Sequence, residues 1–186
     1  MLSNILGHIK TLLYYKLVFN RIGNSTLVIK PLRIDDPKSI EIGEKTYIGH
    51  YSWLMGNHQT GGTTLKIGDK VQIGHYAHII AKEGVFIDDA VLLADKVFIS
   101  DCSHSYEDVQ TPILNQRVKI IRQVHIGEGA WLGENVCVLG ACIGKHCVIA
   151  ANSVVTRDIP DYCVAAGSPA KVVKKYNFEK NLWERI

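Results

Sequence analysis

The 186-residue sequence has no CxxC pair, no apolar run long enough to span a bilayer and no basic stripe with interleaved aromatic residues. These absences argue against a zinc knuckle or thioredoxin-like motif, a transmembrane helix and a nucleic-acid-binding protein, respectively. The formal net charge is only +3, and the one local excess of charge is Lys171, Lys174 and Lys175. The five cysteines are an odd number, so we expect reduced thiols in a cytoplasmic protein instead of a secreted disulfide framework.

The first twenty residues carry an apolar stripe at helical spacing. We expect an N-terminal amphipathic helix within residues 1–24, with Ser3 as its N-cap. No small-residue cleavage site follows the stripe, so a signal peptide is not expected. Two interpretations stay open. The helix packs against its own protein, or it lies on a membrane surface through residues 1–20. The stripe consists of Leu2, Ile5, Leu6, Ile9, Leu12, Leu13 and Leu17.

Aliphatic residues recur every six positions through most of the chain, and they group in threes. Glycine directly follows seven of them, and a small or β-branched residue stands four positions after most of them. Neither the helical period of 3.6 nor the strand period of 2 describes this pattern. We call these aliphatic residues the repeat openers: Ile42, Ile48, Leu54, Ile67, Ile73, Ile79, Ile87, Leu93, Ile99, Ile126, Leu132, Val138, Ile143, Ile149 and Val155.

A period of six in groups of three predicts a solenoid whose coil has three short flats, with the opener of each flat pointing to the axis. Each coil buries its openers only against its neighbours, so several coils are needed for stability. Five triplets predict about five coils, and the glycines are expected to supply backbone freedom at the corners. The repeat also predicts Cys142 and Cys147 as small, buried residues.

Three segments resemble the hexapeptide-repeat acyltransferases, in the branch of the maltose, galactoside and polysaccharide O-acetyltransferases. They are "IGEGAWLGENVCVLGACIG", "VIAANSVVTRDIPDYCVAAGSPAKVVKK" and "SDCSHSYED…PI", and the resemblance covers about residues 25–175. It implies an all-β fold: a left-handed parallel β-helix over residues 25–165, preceded by the N-terminal helix and followed by a short helical tail over residues 166–186. It also implies a homotrimer with active sites at the subunit interfaces, acetyl-CoA as the donor and no required metal.

The repeat breaks between Ile99 and Gly127, where residues 102–123 form a predicted loop. Long loops in compact domains are usually functional or disordered. The resemblance places His104 at the family's catalytic histidine, which accepts the proton of a hydroxyl as that hydroxyl attacks a thioester. Asp101 and Asp108 are candidates to orient the imidazole or to hold a sugar hydroxyl, and both also fit solvated loop charges.

The resemblance also implies a coenzyme A site on the last coils. Ala150 and Ala151 match small residues that let the pantetheine approach the chain. Thr156 and Arg157 match a Thr-Lys pair near the nucleotide end of the coenzyme.

Three further residues complete the predicted site. Lys171 and Lys174 match basic residues that bind the phosphates of the coenzyme. Trp131 matches an aromatic residue at the mouth of the active site, and an outward tryptophan packed at a trimer seam fits the same position. Relatives often read DHxHxY around the catalytic histidine, whereas this chain has Cys102 at the place of the first histidine.

These features predict an O-acetyltransferase that acts on a sugar, nucleotide sugar or polysaccharide precursor. The apolar N-terminal helix also suits an acceptor carried on a membrane lipid. Three alternatives were weighed: N-acetyl transfer to an amino sugar or another amine, a carbonic-anhydrase-like zinc site, and a non-catalytic scaffold. The zinc site is disfavoured because His75 and His78 are three residues apart on one flat and point to different sides of it.

Overall fold

The computed structural model describes residues 11–186, with side chains from residue 13 onward. Its body consists of three parallel sheets that the chain visits in turn, so that each coil contributes one strand to each sheet. Two short strands, β13 (Cys102–His104) and β14 (Val118–Ile120), pair with each other antiparallel outside this body. The described chain is therefore a parallel β-helix with one protruding hairpin.

The strands of the body are numbered in chain order. The first sheet consists of β1 (Arg21–Ile22), β4 (Ile40–Ile42), β7 (Leu65–Ile67), β10 (Val85–Ile87) and β15 (Val124–Ile126). The second begins with β2 (Leu27–Val28), β5 (Tyr47–Ile48), β8 (Gln72–Ile73), β11 (Leu92–Leu93), β16 (Trp131–Leu132), β18 (Val148–Ile149) and β20 (Cys163–Ala166). The third consists of β3 (Arg33–Asp35), β6 (Trp53–Met55), β9 (His78–Ile80), β12 (Phe98–Ser100), β17 (Cys137–Leu139) and β19 (Val154–Val155).

The repeat openers form the core. All of them are at most 2% exposed, and openers of successive coils lie in register, as in the row Ile79, Ile99 and Val138. Burying an aliphatic side chain of this size stabilises the folded state by about 1.5–3 kcal/mol. Cys147 is buried as predicted, whereas Cys142 is only half-buried. The repeat pattern thus predicted the interior of the solenoid, except that Cys142 is only half-buried.

The coil count differs from the prediction of about five. The third sheet has six strands, because Ile22, Val28 and Ile34 form an additional coil before the first predicted triplet. At the other end, Ile159 bridges to the first sheet and Ala165 lies in β20, so a partial coil follows. The body therefore begins at Arg21, inside the segment 1–24 that was predicted to be helical.

The glycines after the openers serve close approach between coils, and the prediction that they turn the corners is wrong. None of them has a positive φ; residues such as Lys70 and Asn152 occupy the left-handed conformation instead. A Cβ built on Gly49 would lie 2.7 Å from the carbonyl oxygen of Gly74 in the next coil. Real Cβ atoms do not approach backbone this closely, so glycine is required there for space.

Aspartate side chains tie successive corners together. Asp69 Oδ1 accepts a hydrogen bond from the backbone N–H of Glu44 in the previous coil, and Asp89 Oδ1 accepts one from Asp69, each at 2.8 Å. The backbone groups at a corner lack a strand partner, and a buried or half-buried N–H without an acceptor destabilises the fold. These aspartates therefore supply acceptors where the sheet ladders are interrupted.

Short helices precede the first coil. A π-helix covers Thr11–Tyr15 and an α-helix covers Lys16–Val18, and Tyr15 and Phe19 are buried against the core. The rest of the predicted N-terminal helix lies in residues 1–10, outside the described residues. No helix in the described part of the chain is long and apolar enough to cross a membrane. Two 3₁₀ helices, Pro37–Ser39 and His58–Thr60, occupy the coil corners after β3 and β6.

The predicted helical tail over residues 166–186 is wrong, because this segment forms two strands. These are β21 (Lys171–Asn177), which pairs antiparallel with β20, and β22 (Leu182–Arg185), which pairs with β21. Burial alternates along β21, and Val172 packs against the core. The last coil of a solenoid has an open edge, and a hairpin that continues the sheet satisfies the backbone groups at that edge.

Candidate functional site

The break in the repeat forms a β-hairpin, which we call the arm (residues 102–120). His104 of β13 lies opposite Val118 of β14, and a 3₁₀ helix over Ile113–Asn115 lies between the two strands. The chain returns to the coil where the N–H of Ile121 donates to the carbonyl of Asp101 at 2.8 Å. The predicted loop is thus an ordered arm whose two ends leave the body at one point.

His104 lines a groove of about 520 Å³ on the outer face of the third sheet. Side chains alternate along each strand, so the neighbours of the inward openers point outward. Trp53, Ile80 and Phe98 form one wall of the groove, and Val118 lines it from the returning arm strand. The His104 side chain itself is exposed. The predicted base therefore faces an open, mostly apolar groove.

Cys102 lines the same groove, two residues before His104. Its Sγ lies 3.5 Å from the Oγ of Ser100, and burial raises the pKa of the thiol above its ordinary value. The thiol therefore stays protonated near neutral pH. It is a weak hydrogen-bond partner compared with the histidine that relatives often have at this place.

Asp101 is at the base of the arm and is fully buried. Its carboxylate accepts three backbone hydrogen bonds, from the N–H groups of Lys82, Glu83 and Gly84, at 3.0, 2.6 and 2.8 Å. This geometry commits Asp101 to the corner of the preceding coil. The prediction that it holds a sugar hydroxyl is therefore not supported, since no part of the side chain is accessible.

Asp108 lies near the tip of the arm, where its carboxylate organises a turn. It accepts hydrogen bonds from the N–H of Gln110 at 2.9 Å and from the hydroxyl of Thr111 at 2.7 Å. These bonds lower the pKa of the carboxyl below its ordinary value. Asp108 does not line the groove of His104. Its predicted contact with a sugar stays a prediction.

An ion pair between Glu107 and Lys119 links the outgoing and returning halves of the arm. Lys119 Nζ lies 2.6 Å from Glu107 Oε1, and this hydrogen bond lowers the pKa of Glu107 to about 2. Both side chains are more than half exposed, so solvent screens the pair. The ion pair fixes the geometry of the arm more than it adds to stability.

The predicted coenzyme residues lie in three places. Ala150 and Ala151 form a corner after β18, and Thr156 and Arg157 follow β19. Lys171 and Lys174 lie on β21, so the tail hairpin brings the two lysines onto the second sheet. None of these six residues lines the groove of His104. Within the described part of one chain, the structure therefore does not bring the predicted donor residues together with the predicted base.

Trp131 is 47% exposed on the outer face of the second sheet, in register with Leu92 and Val148. The register continues through Val164 to Lys174, so Trp131 and Lys174 share one row. Trp131 is therefore on a different face from the groove of His104. Its predicted place at an active-site mouth stays a prediction.

Sequence reasoning missed Arg33, Trp53 and Lys82, which line the groove of His104. Arg33 and Trp53 stand one position before the third inward residue of their coils, where β3 and β6 lie in register. This outward position is readable from the repeat once the inward positions are known. Among residues 11–186 there is no group of three His, Cys, Asp or Glu side chains placed to hold a metal ion.

Comparison with known families supports the repeat assignment. Residues 123–157 match the family described as "Bacterial transferase hexapeptide (six repeats)". The matched residues run from β15 through β19, directly after the arm, so this part of the chain carries the hexapeptide repeat. The expected left-handed parallel β-helix is confirmed.

Two curated relatives are similar over about half of this chain. It is 44% identical over 115 residues to the "Putative lipopolysaccharide biosynthesis O-acetyl transferase WbbJ" of Escherichia coli, covering 58% of this chain and 59% of that protein. It is 40% identical over 95 residues to the "Galactoside O-acetyltransferase" of Lactococcus lactis, covering 50% of this chain and 44% of that protein. The chain spans between 29% and 59% of the length of four such relatives.

A solved structure shows the same fold over nearly the whole chain. The N-acyltransferase AntD from Bacillus cereus, in complex with dTDP and 3-hydroxybutyryl-CoA, superposes with a TM-score of 0.73 at 17% identity. The superposition covers 89% of this chain and 87% of AntD. At this identity the likeness establishes the architecture of the chain and leaves its substrate open.

Proposed function

We propose that this chain is a hexapeptide-repeat, acetyl-CoA-dependent O-acetyltransferase with His104 as its general base. The observation that carries the proposal is the position of His104, which lies on the arm and lines an open groove of a β-helix. Relatives named as lipopolysaccharide and galactoside O-acetyltransferases support a sugar acceptor. The acceptor is a hydroxyl of a sugar, nucleotide sugar or polysaccharide precursor.

The reaction is a direct transfer in a ternary complex. The acceptor hydroxyl attacks the thioester carbonyl of acetyl-CoA while an imidazole nitrogen of His104 takes the hydroxyl proton. The C–S bond then breaks, the ester forms and the proton passes to the departing thiolate, so that coenzyme A leaves as a thiol. General bases of this kind accelerate such reactions by about 10²–10⁴-fold.

The donor site lies on the last coils. Arg157, Lys171 and Lys174 supply three positive charges for the phosphates of the coenzyme. Ala150 and Ala151 leave the backbone open beside the corner, where a pantetheine arm fits. Because these residues do not line the groove of His104 on the same chain, a neighbouring subunit completes each site. A homotrimer with three interfacial sites satisfies this requirement.

The decisive experiment measures release of coenzyme A from acetyl-CoA with a panel of sugars, nucleotide sugars and amines. His104→Ala is expected to fold normally and to lose at least about 100-fold in kcat/KM. His125→Ala is the matched control, since His125 is also half-exposed but lies on the first sheet and pairs with Asp88 at 2.8 Å. Full activity of His104→Ala, or an equal loss in His125→Ala, contradicts the assignment.

The linkage in the product separates O-transfer from N-transfer. An O-acetyl ester is cleaved by mild alkali, whereas an N-acetyl amide survives it. The alternative of N-transfer fits the fold shared with the N-acyltransferase AntD. Mass spectrometry of the product before and after alkali decides between the two, and an alkali-stable product overturns O-transfer.

Mixed assemblies test the interfacial site. His104→Ala subunits are mixed and reassembled with subunits that carry Arg157→Gln and Lys171→Gln. If base and donor residues come from different subunits, the mixture regains part of the wild-type activity that each parent lacks. A mixture as inactive as its parents places the whole site on one subunit.

We place the reaction in the cytoplasm, which is supported by five cysteines without a disulfide. Residues 1–20 provide a peripheral membrane contact, which is supported by their apolar stripe, of which Leu13 and Leu17 are exposed. A flotation assay with anionic vesicles tests this contact. Recovery of the whole protein in the unbound fraction contradicts it.

A further inference from the structure

Arg33 and Trp53, which line the groove of His104, are both held in place by the neighbouring Asp35. Arg33 Nε donates to Asp35 Oδ1 at 2.7 Å, and Trp53 Nε1 donates to Asp35 Oδ2 at 2.8 Å. The central carbon of the Arg33 guanidinium lies 5.3 Å from the centroid of the Trp53 ring. One carboxylate thus fixes two side chains that also contact each other.

The β-helix places these residues together. β3 and β6 are neighbours in the third sheet, with Arg33 opposite Trp53 in register. Asp35 is two positions after Arg33 and therefore on the same outward face. Trp53 also packs edge-on against His78 of the next coil at 5.6 Å. A guanidinium stacked and hydrogen-bonded in this way loses little further freedom when it binds a ligand.

The arginine keeps donors for a ligand. Its hydrogen bond to Asp35 uses Nε, and 63% of the Arg33 side chain remains exposed, whereas Asp35 is only 21% exposed. The guanidinium lies over the Trp53 ring, and no hydrogen bond within residues 11–186 uses its two Nη groups, so both remain as donors for a ligand. Planar, preorganised guanidinium groups are suited to bidentate binding of phosphate or carboxylate.

Lys82 adds a second positive charge to the groove. Within residues 11–186 no carboxylate lies within ion-pair distance of its ammonium. The buried carboxylate of Asp101 accepts the backbone N–H groups of Lys82, Glu83 and Gly84. The groove therefore presents two cations beside the proposed base, and only one of them has an acidic partner.

We propose that the acceptor carries a phosphate group, which Arg33 and Lys82 bind while a sugar hydroxyl reaches His104. This inference rests on the proposed function, because it names the acceptor of the same site. A phosphate monoester carries close to two negative charges near neutral pH, which matches two cations better than the single charge of a carboxylate does. Sugar phosphates are such monoesters, and the doubly esterified pyrophosphate of nucleotide sugars and lipid-linked sugars also carries two negative charges, one on each phosphate.

The test compares one sugar with and without its phosphate, such as galactose and galactose 1-phosphate. The wild-type enzyme is expected to prefer the phosphorylated acceptor by at least about 10-fold in kcat/KM. Arg33→Gln and Lys82→Gln are each expected to reduce this preference by about 10-fold, chiefly through the KM of the phosphorylated acceptor. Arg33→Lys keeps the positive charge but removes the planar guanidinium over Trp53, so an intermediate preference for the phosphorylated acceptor is expected.

Arg21→Gln is the matched control. Arg21 belongs to the same coil as Arg33, is exposed and lies on the first sheet, away from the groove. Its substitution removes the same charge and is expected to leave the preference unchanged. An equal loss of the preference in Arg21→Gln overturns the proposal, because the preference would then depend on the overall charge of the protein and not on the groove.

Direct binding separates this inference from the proposed function. Calorimetric titration of galactose 1-phosphate without acetyl-CoA is expected to show binding that Arg33→Gln weakens about 10-fold. Such binding without any acetyl transfer supports the phosphate site and contradicts the transferase. Transfer to galactose and to galactose 1-phosphate with equal kcat/KM supports the transferase and overturns the phosphate site.

Three acceptors then identify the source of the phosphate. They are galactose 1-phosphate, UDP-galactose and a galactose linked to a short prenyl pyrophosphate. The acceptor with the highest kcat/KM in the wild type, and with the largest loss in Arg33→Gln, is the expected class. If galactose has a higher kcat/KM than all three, the proposal is wrong.

Discussion

The coil and the arm of this protein follow opposite rules. In the coil, the aliphatic openers are buried and the strands are parallel, as at Ile99, which is 0% exposed. In the arm, the strands are antiparallel, and Val109 and Leu114 are 88% and 89% exposed. The repetitive part thus supplies the stability, whereas the part that breaks the repeat carries the candidate chemistry.

One aspartate of the coil and one aspartate of the arm show how the surroundings of a side chain determine its role. Asp101 belongs to the coil and accepts three backbone N–H groups, whereas Asp108 belongs to the arm and closes an exposed turn. The two residues have the same chemistry and are seven positions apart. They differ only in burial: Asp101 is buried and has a structural role, whereas Asp108 is accessible to solvent.

The largest expected effect comes from Asp101→Ala. It leaves three backbone donors at a buried corner without acceptors, at about 1–3 kcal/mol each, so we expect a loss of about 4 kcal/mol or more in the free energy of unfolding. Asp108→Ala is the control, with an expected loss below about 1 kcal/mol. Urea unfolding at fixed protein concentration measures both, and similar losses in the two variants contradict the contrast.

Ile99→Ala is expected to have the next largest effect. It removes a buried side chain between Ile79 and Val138 and leaves a cavity, at a cost of about 3 kcal/mol. Leu114→Ala removes a side chain of similar size from the arm, and less than about 0.5 kcal/mol is expected. A larger loss in Leu114→Ala than in Ile99→Ala, measured by the same urea unfolding, means that the arm supplies more stability than we infer.

The smallest expected effect is that acid weakens the pairing of the arm. The pKa of Glu107 is lowered to about 2 by Lys119, so its contribution to pairing of the arm is fully present above the ordinary carboxyl pKa and is lost as the pH falls through about 2. The protection factors of the amides in β13 and β14, which are corrected for the intrinsic pH dependence of exchange, are therefore expected to fall more between pH 5 and 2 in the wild type than in Glu107→Gln. The coil amides of β9 serve as the internal control.

The same experiment has a clear contrary outcome. The Glu107 side chain is more than half exposed, so salt is expected to weaken its pair with Lys119 and to reduce the difference between wild type and Glu107→Gln. Identical exchange in the two proteins at every pH means that the ion pair does not hold the arm. The arm would then depend on the turn around Asp108 and on its backbone hydrogen bonds.

Much of the fold was predictable because burial in a solenoid repeats with the sequence. The inward positions of Ile42 through Val155 followed from period six alone. The first coil was missed because Ile22 and Val28 follow an apolar stripe at helical spacing that hides the change of period. The tail was missed because alternation in β21 becomes visible as strand pairing only when β20 is its neighbour.

The candidate site was predictable only in part. His104 was found because it breaks the rhythm and resembles a family motif. Arg33 and Trp53 were missed because each belongs to a regular coil and is an ordinary exposed position by sequence. They became a candidate subsite only when the third sheet brought β3, β6 and the arm to one groove.

The sequence by itself determined the solenoid, its inward residues and the place where the repeat is interrupted. These properties depend on local periodicity, because each opener meets the equivalent residue of the next coil. The tertiary structure alone decided which outward residues share a groove, which aspartate is buried and how the last coil is closed. Such contacts join residues from different coils and from the arm, and their spacing in the chain carries no periodic signal.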